Sequence, residues 1–151
     1  MHDKFSEYLS GRLHDAAWAF FLRPFAQELL SHVSSEDMRG LARGAGVRAG
    51  RDLPLPACDS LQQMEDAANE HWSRLGWGIV AFQERSEHIA IEHSLAPLRA
   101  TLGEPAMAWA AGFLEGVYQE WFTMLGAGSE LQVRQEGAAD PYGGLVYRLG
   151  R

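Results

Sequence analysis

Imidazole and carboxylate side chains crowd the segment E-H-I-A-I-E-H, where Glu87, His88, Glu92 and His93 fall within seven positions, and Glu70-His71 adds a further pair upstream. These are ordinary zinc ligands, and a histidine beside a carboxylate is also the usual equipment of a general base. The alternation of the segment predicts a strand, however, and on a strand His88 and His93, five apart, point to opposite faces. No H-E-x-x-H occurs on any helix-forming stretch, so the motif that would fix a metal is missing. The segment is read as the polar faces of an edge hairpin. A hydrolase built on these residues ranks behind the other readings.

Other chemical constellations fail on similar grounds. The glycines of R-G-L-A-R-G-A-G-V-R-A-G-R-D invite a phosphate loop, but the stretch contains no lysine, and Gly44, Gly46 and Gly50 follow no strand. The Walker and dinucleotide patterns are both broken. A Gly-rich helix end with solvated Arg39, Arg43, Arg48 and Arg51 is the expectation. Glu115 and Glu120 are five apart on a predicted helix and diverge by about 140°, a poor geometry for paired acid and base. Cys58 is the single cysteine, which rules out an internal disulfide; it is read as a small, half-buried residue beside Pro56. No G-x-S-x-G elbow is present. No catalytic residue, metal or cofactor is expected.

The elements that must position these groups follow from hydrophobic period. The chain has 151 residues and 46% hydrophobic content, enough for one domain spanning residues 1–151. Phe5, Tyr8, Leu9, Leu13, Ala16, Ala17, Phe20 and Phe21 recur at helical intervals, weakened near Gly11, and residues 1–23 form a helical N-terminal extension. Pro24 is read as the first turn of a new segment. Ser34 caps a helix that carries Met38, Leu41 and Ala42 inward, with a Gly40/Gly44 groove suited to a second backbone. Asp59 or Ser60 caps a third helix with Leu61, Met64, Ala68, Trp72 and Leu75 inside, ending at Gly76. The period then changes to two: G-I-V-A-F-Q-E and E-H-I-A-I-E-H form a hairpin, with Ile79 and Ala81 on one face and Val80 and Phe82 on the other. L-A-P-L-R-A-T-L-G-E-P is read as a loop, and a long packing helix runs from about Met107 to Leu125. E-L-Q-V-R-Q-E and G-L-V-Y-R-L-G close the chain as a second hairpin. The fold class is α+β: N-terminal helices, and a small antiparallel sheet of two hairpins with the long helix between them.

The formal net charge of −7 argues against nucleic acid as a partner. Twelve of the thirteen basic residues are arginine; this suits planar ion pairs, but composition bias explains it more simply. The longest N-terminal apolar run, Ala16 to Leu22, is too short to span a bilayer, and the start lacks the features of a signal peptide. The five tryptophans mostly fall at helix-periodic positions, as core packing requires. H-W-S-R-L-G-W-G-I-V-A-F is a structural hinge from helix to sheet, with Trp72 inward, Gly76 ending the helix, and Trp77-Gly78 starting the strand.

Five segments in order, R-G-L-A-R-G-A-G-V-R, P-L-P-A-C, L-G-W-G-I-V, I-E-H-S-L-A-P and F-L-E-G-V-Y-Q-E-W, resemble the cellulose synthase operon protein D family, the D subunit of the bacterial cellulose synthase complex, over about residues 13–128. L-G-W-G and L-E-G-x-Y-x-x-W are the more specific pieces. The resemblance implies a non-catalytic α+β protein that forms dimers and then a cylindrical homo-octamer, linked to export and ordering of parallel β-1,4-glucan chains. It implies that N-terminal segments line passages inside the cylinder, making Lys4, Phe5, Tyr8 and Arg12 candidates for contact with glucan or a partner. Leu13, Trp18, Phe21, Gly40 and Gly44 are candidates for the oligomer interface, because so aromatic a first helix presents more apolar surface than a terminal helix hides alone.

The leading expectation is a scaffold that organises cellulose synthase complexes from the cytoplasmic side, near the inner membrane, with a Pro-rich scaffold protein as a further partner. The missing signal peptide weighs against a periplasmic glucan conduit. The alternative is a small-molecule sensor in which His71 or His93 reaches a haem or metal.

Overall fold

A computed structural model describes the backbone of residues 2–151 and the side chains of residues 16–151. The chain runs through α1 (His2–Leu30), α2 (Ser35–Asp52), α3 (Leu61–Leu75), β1 (Ile79–Glu84), β2 (Ile89–Ser94), α4 (Leu98–Leu102), a single 3₁₀ turn (Glu104–Ala106), α5 (Met107–Ala110), α6 (Gly112–Met124), β3 (Gln132–Gln135) and β4 (Leu145–Gly150). Both expected hairpins form, and they join through antiparallel pairing of β2 with β4 into one sheet of order β1-β2-β4-β3. The α+β class and the period change at Trp77 are as the sequence predicts.

Capping residues set the helix limits. Ser34 and Ser60 each accept a hydrogen bond from the backbone N–H three residues on, at 3.1 Å, and Gly76 ends α3 in the left-handed conformation at φ 71°, which glycine adopts without a Cβ clash. At two places the expected elements differ. Helix α1 continues through Pro24 instead of restarting there. The bond that proline forfeits falls where Phe20 and Pro24 are both exposed, so water can serve the Phe20 carbonyl. L-A-P-L-R-A-T-L-G-E-P is not all loop, because Leu98 buries itself and draws α4 into a short helix on which α1 packs. The long helix is interrupted at Ala111, between α5 and α6, where the Tyr147 hydroxyl donates to the Ala111 carbonyl at 2.7 Å.

The central packing unit is the pair α2 and α6. A Cβ on Gly46 would overlap the Phe113 carbonyl, and one on Gly116 would overlap the Arg43 carbonyl; at Gly112 and Gly50 the opposite backbone is about 1 Å farther off, still a tight contact. Glycines on both helices therefore allow backbone contact, which no larger residue permits. The close approach, at Gly46 and Gly50, lies six residues beyond the groove expected at Gly40 and Gly44, both of which face open space within the chain. This rotation of the buried face also leaves Leu41 exposed, contrary to expectation, while Met38 is buried. Leu75 is likewise exposed at the end of α3.

Ion pairs flank the glycines. Glu115 accepts from Arg39 Nη2 at 2.8 Å and from Arg43 Nε at 3.1 Å, and Glu120 accepts from Arg51 Nε at 3.1 Å. Arg39 and Arg43 are thus not the solvated arginines expected of a helix end; Arg51 is exposed as expected but ion-paired, and Arg48 is exposed with no ion pair among the described residues. Trp121 Nε1 closes the far end of α2 by donating to the carbonyls of Gly50 and Leu53 at 3.2 and 2.8 Å, which serves carbonyls that the helix end leaves without partners.

The two outer strands are capped by helix side chains. On β1, the N–H groups of Val80 and Phe82 donate to Asn69 Oδ1 and Glu65 Oε2 at 2.8 and 2.7 Å. On β3, those of Val133 and Gln135 donate to Gln119 Oε1 and Glu115 Oε2 at 2.7 and 3.0 Å. Side chains four apart on a helix are spaced about 6 Å along its axis, close to the roughly 6.7 Å between alternate strand residues. Each helix therefore stands in for a missing strand, and each edge is closed to further pairing at these positions.

Substitution of Gly46 or Gly116 by alanine is expected to lower stability by about 3 kcal/mol through overpacking. Gly40→Ala, with nothing in reach, is expected to raise it by about 0.5–1 kcal/mol from helix propensity. Urea unfolding of the three variants checks both signs.

Candidate functional site: an aromatic helix face above an apolar groove

The hinge is the first place where the expected site residues meet. Trp72 is buried, with its ring 6.0 Å from Trp77 and 5.1 Å from Trp121. Gly78, at φ 86°, crosses so close to the Ser94 carbonyl that no Cβ fits. Beneath it lies His93, which is fully buried in the interior of the sheet and not on a polar hairpin face. Strand β2 is central, not an edge, because β4 pairs on its far side.

His93 Nε2 lies 2.7 Å from the Trp77 carbonyl, which can only accept, so Nε2 carries the proton. Nδ1 then accepts from the Tyr118 hydroxyl at 2.5 Å, and that hydroxyl in turn accepts from Trp72 Nε1 at 3.1 Å. Each polar atom of this chain has its partner while the imidazole is neutral. Burial lowers the His93 pKa from 6.5 to about 4, partly opposed by the bond to Trp77, and burial pushes Tyr118 well above its usual value. His71 is occupied as well, between the Pro54 carbonyl at 3.1 Å and Arg74 Nη2 at 2.7 Å. Neither ring has a nitrogen free for a haem or metal. Among the described residues, no three His, Cys, Asp or Glu side chains form a metal-holding group. Cys58 is half-buried, its Sγ 3.2 Å from the Pro56 carbonyl.

The surface residues are of a different kind. Helix α1 spans 29 residues, about 43 Å, and its C-terminal part is held by burial of Ala26 and by Arg23 Nη2 donating to the Ala100 carbonyl at 2.7 Å. Its preceding turns carry Phe20 at 85% exposure, Phe21 at 54% and Phe25 at 48%, with Trp18 half exposed. Phe21 and Phe25 stack at 5.2 Å. At the foot of this ridge opens an apolar groove of about 380 Å³ lined by Leu22, Ala42, Trp77, Leu98, Leu102 and Phe113 among others. A smaller crevice shares its Trp77 and Phe113 walls. Few polar groups converge there, so the groove suits apolar side chains better than a polar ligand.

Of the residues expected to contact glucan or a partner, Lys4, Phe5, Tyr8 and Arg12 lie outside the described side chains, as does Leu13. Trp18 and Phe21 occupy the exposed stretch of α1, and Gly40 and Gly44 are exposed on α2. Trp72, Gly76, Trp77 and Gly78 come together as the hinge. Sequence reasoning missed the His93–Tyr118–Trp72 chain, whose signal was a histidine at the inward register of a central strand. It also missed the strand-capping pairs Glu65 with Asn69 and Glu115 with Gln119, which the i, i+4 spacing of acceptors announces.

Fold and surface together define a small α+β protein whose buried polar groups His93 and Glu115 are spent on internal structure and whose α1 carries a row of exposed aromatic side chains. The comparisons with known proteins agree with that description and make it specific. The family model for the cellulose synthase D subunit matches residues 4–148, and the chain belongs to that family. A relative from Komagataeibacter xylinus, called cellulose synthase operon protein D, is 30% identical over 108 residues, covering 70% of this chain and 69% of its own length. One of the same description from Komagataeibacter sucrofermentans is 32% identical over 109 residues, with the same coverage. Family membership supports a role in cellulose synthesis. No helix among the described residues is long and apolar enough to cross a membrane.

Because the folded chain holds His93 neutral while the unfolded chain protonates it, the unfolded state binds more protons between pH 6.5 and about 4. Stability is therefore full above pH 6.5 and falls as pH drops through this window. Between pH 7 and 5 the native protein is expected to lose about 2 kcal/mol more than a His93→Gln variant does. Urea unfolding at the two pH values measures the difference.

Proposed function

We propose that the chain is a non-catalytic scaffold subunit of bacterial cellulose biosynthesis. It assembles as dimers and then as a cylindrical homo-octamer that organises synthase complexes and aids export and crystallisation of β-1,4-glucan chains. The observation that carries this reading is the exposed row Phe20, Phe21 and Phe25 on α1, in a chain of the cellulose synthase operon protein D family. Three neighbouring phenylalanines in water on a monomer are a costly surface, and burial against another copy removes that cost. The groove at the foot of α1 offers apolar walls for the same contact. The N-terminal residues Lys4, Phe5, Tyr8 and Arg12 are the contacts offered to glucan or to a partner, and a Pro-rich scaffold protein on the cytoplasmic side is the further partner.

The absence of a free imidazole at His71 and His93 favours this over a haem or metal sensor. The scaffold reading expects the hinge residues to matter only through folding.

A Phe20→Ser, Phe21→Ser, Phe25→Ser variant removes the ridge without touching the buried core. It is expected to keep its thermal unfolding midpoint to within a few degrees at concentrations where both forms are dissociated, and to run as a smaller species than the native protein in sedimentation velocity. An unchanged oligomer would count against the ridge as an interface, and a native protein that is monomeric throughout would remove the scaffold reading.

A further inference from the structure

Three tyrosines have described side chains, and they differ in what becomes of the hydroxyl proton. Tyr142 is 89% exposed and faces water. Tyr147 donates to the Ala111 carbonyl at 2.7 Å, an acceptor too weakly basic to take the proton away. Tyr118 alone of the three donates to a side-chain base, Nδ1 of His93 at 2.5 Å, while its oxygen accepts from Trp72 Nε1 at 3.1 Å. Ring contacts lead outward from it. Tyr118 lies 6.1 Å from Trp72, and Trp72 lies 6.0 Å from Trp77. Tyr118 and Trp72 are buried, whereas Trp77 is half-buried and forms part of the groove wall. Indole and phenol are the side chains that give up single electrons most readily, and rings this close exchange them rapidly. A path for one electron therefore runs from the groove to a buried phenol that is hydrogen-bonded to a base.

We propose that Tyr118 and His93 form a redox-active pair, which takes up the oxidising equivalent that a strong one-electron radical oxidant delivers to Trp77. The radical removes one electron from the Trp77 indole and becomes an anion. Trp72 refills Trp77, and Tyr118 refills Trp72. As that electron leaves, the Tyr118 O–H bond breaks and its proton forms an N–H bond on His93 Nδ1. The products are a neutral tyrosyl radical, an imidazolium and the reduced oxidant. An oxidised phenol is a far stronger acid than an imidazolium, so the proton moves even though burial holds the His93 pKa at about 4. No polar atom loses a partner in the exchange. Nδ1–H now donates back to the Tyr118 oxygen, Trp72 Nε1 still donates to that oxygen, and Nε2–H still donates to the Trp77 carbonyl. A one-electron reductant such as ascorbate reverses the step, and the proton returns from Nδ1 to the oxygen.

The inference goes beyond the scaffold reading and holds for the chain in any state of assembly. Pulse radiolysis of the full chain with the azide radical tests it, by following the indole radical absorption as it gives way to that of a tyrosyl radical. Tyr118→Phe is expected to lose most of the tyrosyl yield and Tyr142→Phe to keep it. His93→Gln retains an acceptor but not a base, and is expected to slow the transfer by about tenfold or more. Each variant is first checked for native circular dichroism. Should Tyr118→Phe fold poorly, electron paramagnetic resonance of the frozen native chain decides: a buried ring fixed in one orientation gives a single set of proton couplings. Broad couplings of a freely oriented, solvent-exposed tyrosyl would overturn the proposal. So would a folded Tyr118→Phe with the native yield, a folded His93→Gln with the native rate, or a native chain whose radical stays on tryptophan.

Discussion

A carboxylate at Glu115 ties together parts of the chain that are far apart in sequence. One oxygen receives Arg43, the other receives Arg39 and the backbone N–H of Gln135, so that α2, α6 and the outer strand β3 meet at a single side chain that is largely shielded from water. Burial of a lone carboxylate would cost several kcal/mol; three donors with good geometry offset that cost and set the register between two helices and a strand. The glycines at 46, 50, 112 and 116 are what bring the helices close enough for the arginines to reach. Without both features the sheet would have no fixed place against the helix pair.

The same constraint gives the segments around Glu115 and Arg43 a physical meaning. In F-L-E-G-V-Y-Q-E-W, Leu114 and Val117 fill the core, Glu115 and Glu120 bind the arginines of α2, and Gly116 admits the Arg43 backbone. Tyr118 joins His93 to Trp72, Gln119 caps β3, and Trp121 closes α2. Arg39, Arg43 and Gly46 of the glycine-rich segment are the matching half. L-G-W-G turns α3 into β1 over the buried histidine. These residues are therefore spent on holding the fold, and the exposed phenylalanines lie apart from them on α1.

Much of this was legible in the sequence because period reports burial directly. The change from helical to alternating spacing at Trp77, the Ser34 cap and the Gly76 stop needed no tertiary information. What escaped did so because it depends on neighbours remote in sequence. Gly40 and Gly44 have the same spacing as Gly46 and Gly50, and only the position of α6 decides which pair is used. Arg39 and Arg43 look solvated until Glu115 is brought beside them, and His93 looks like an edge residue until β4 joins β2. Pro24 misled because a helix tolerates proline where the lost bond faces water.

Association through α1 is the central claim, and backbone hydrogen exchange reads it residue by residue. Exchange followed by mass spectrometry over a range of protein concentrations, alongside the mass of the assembly, is the direct measurement. Amides of residues 16–25 in α1 are expected to gain protection as copies associate, whereas those buried in α6 are protected at every concentration. Assembly that proceeds with no change in exchange along 16–25 would contradict the claim.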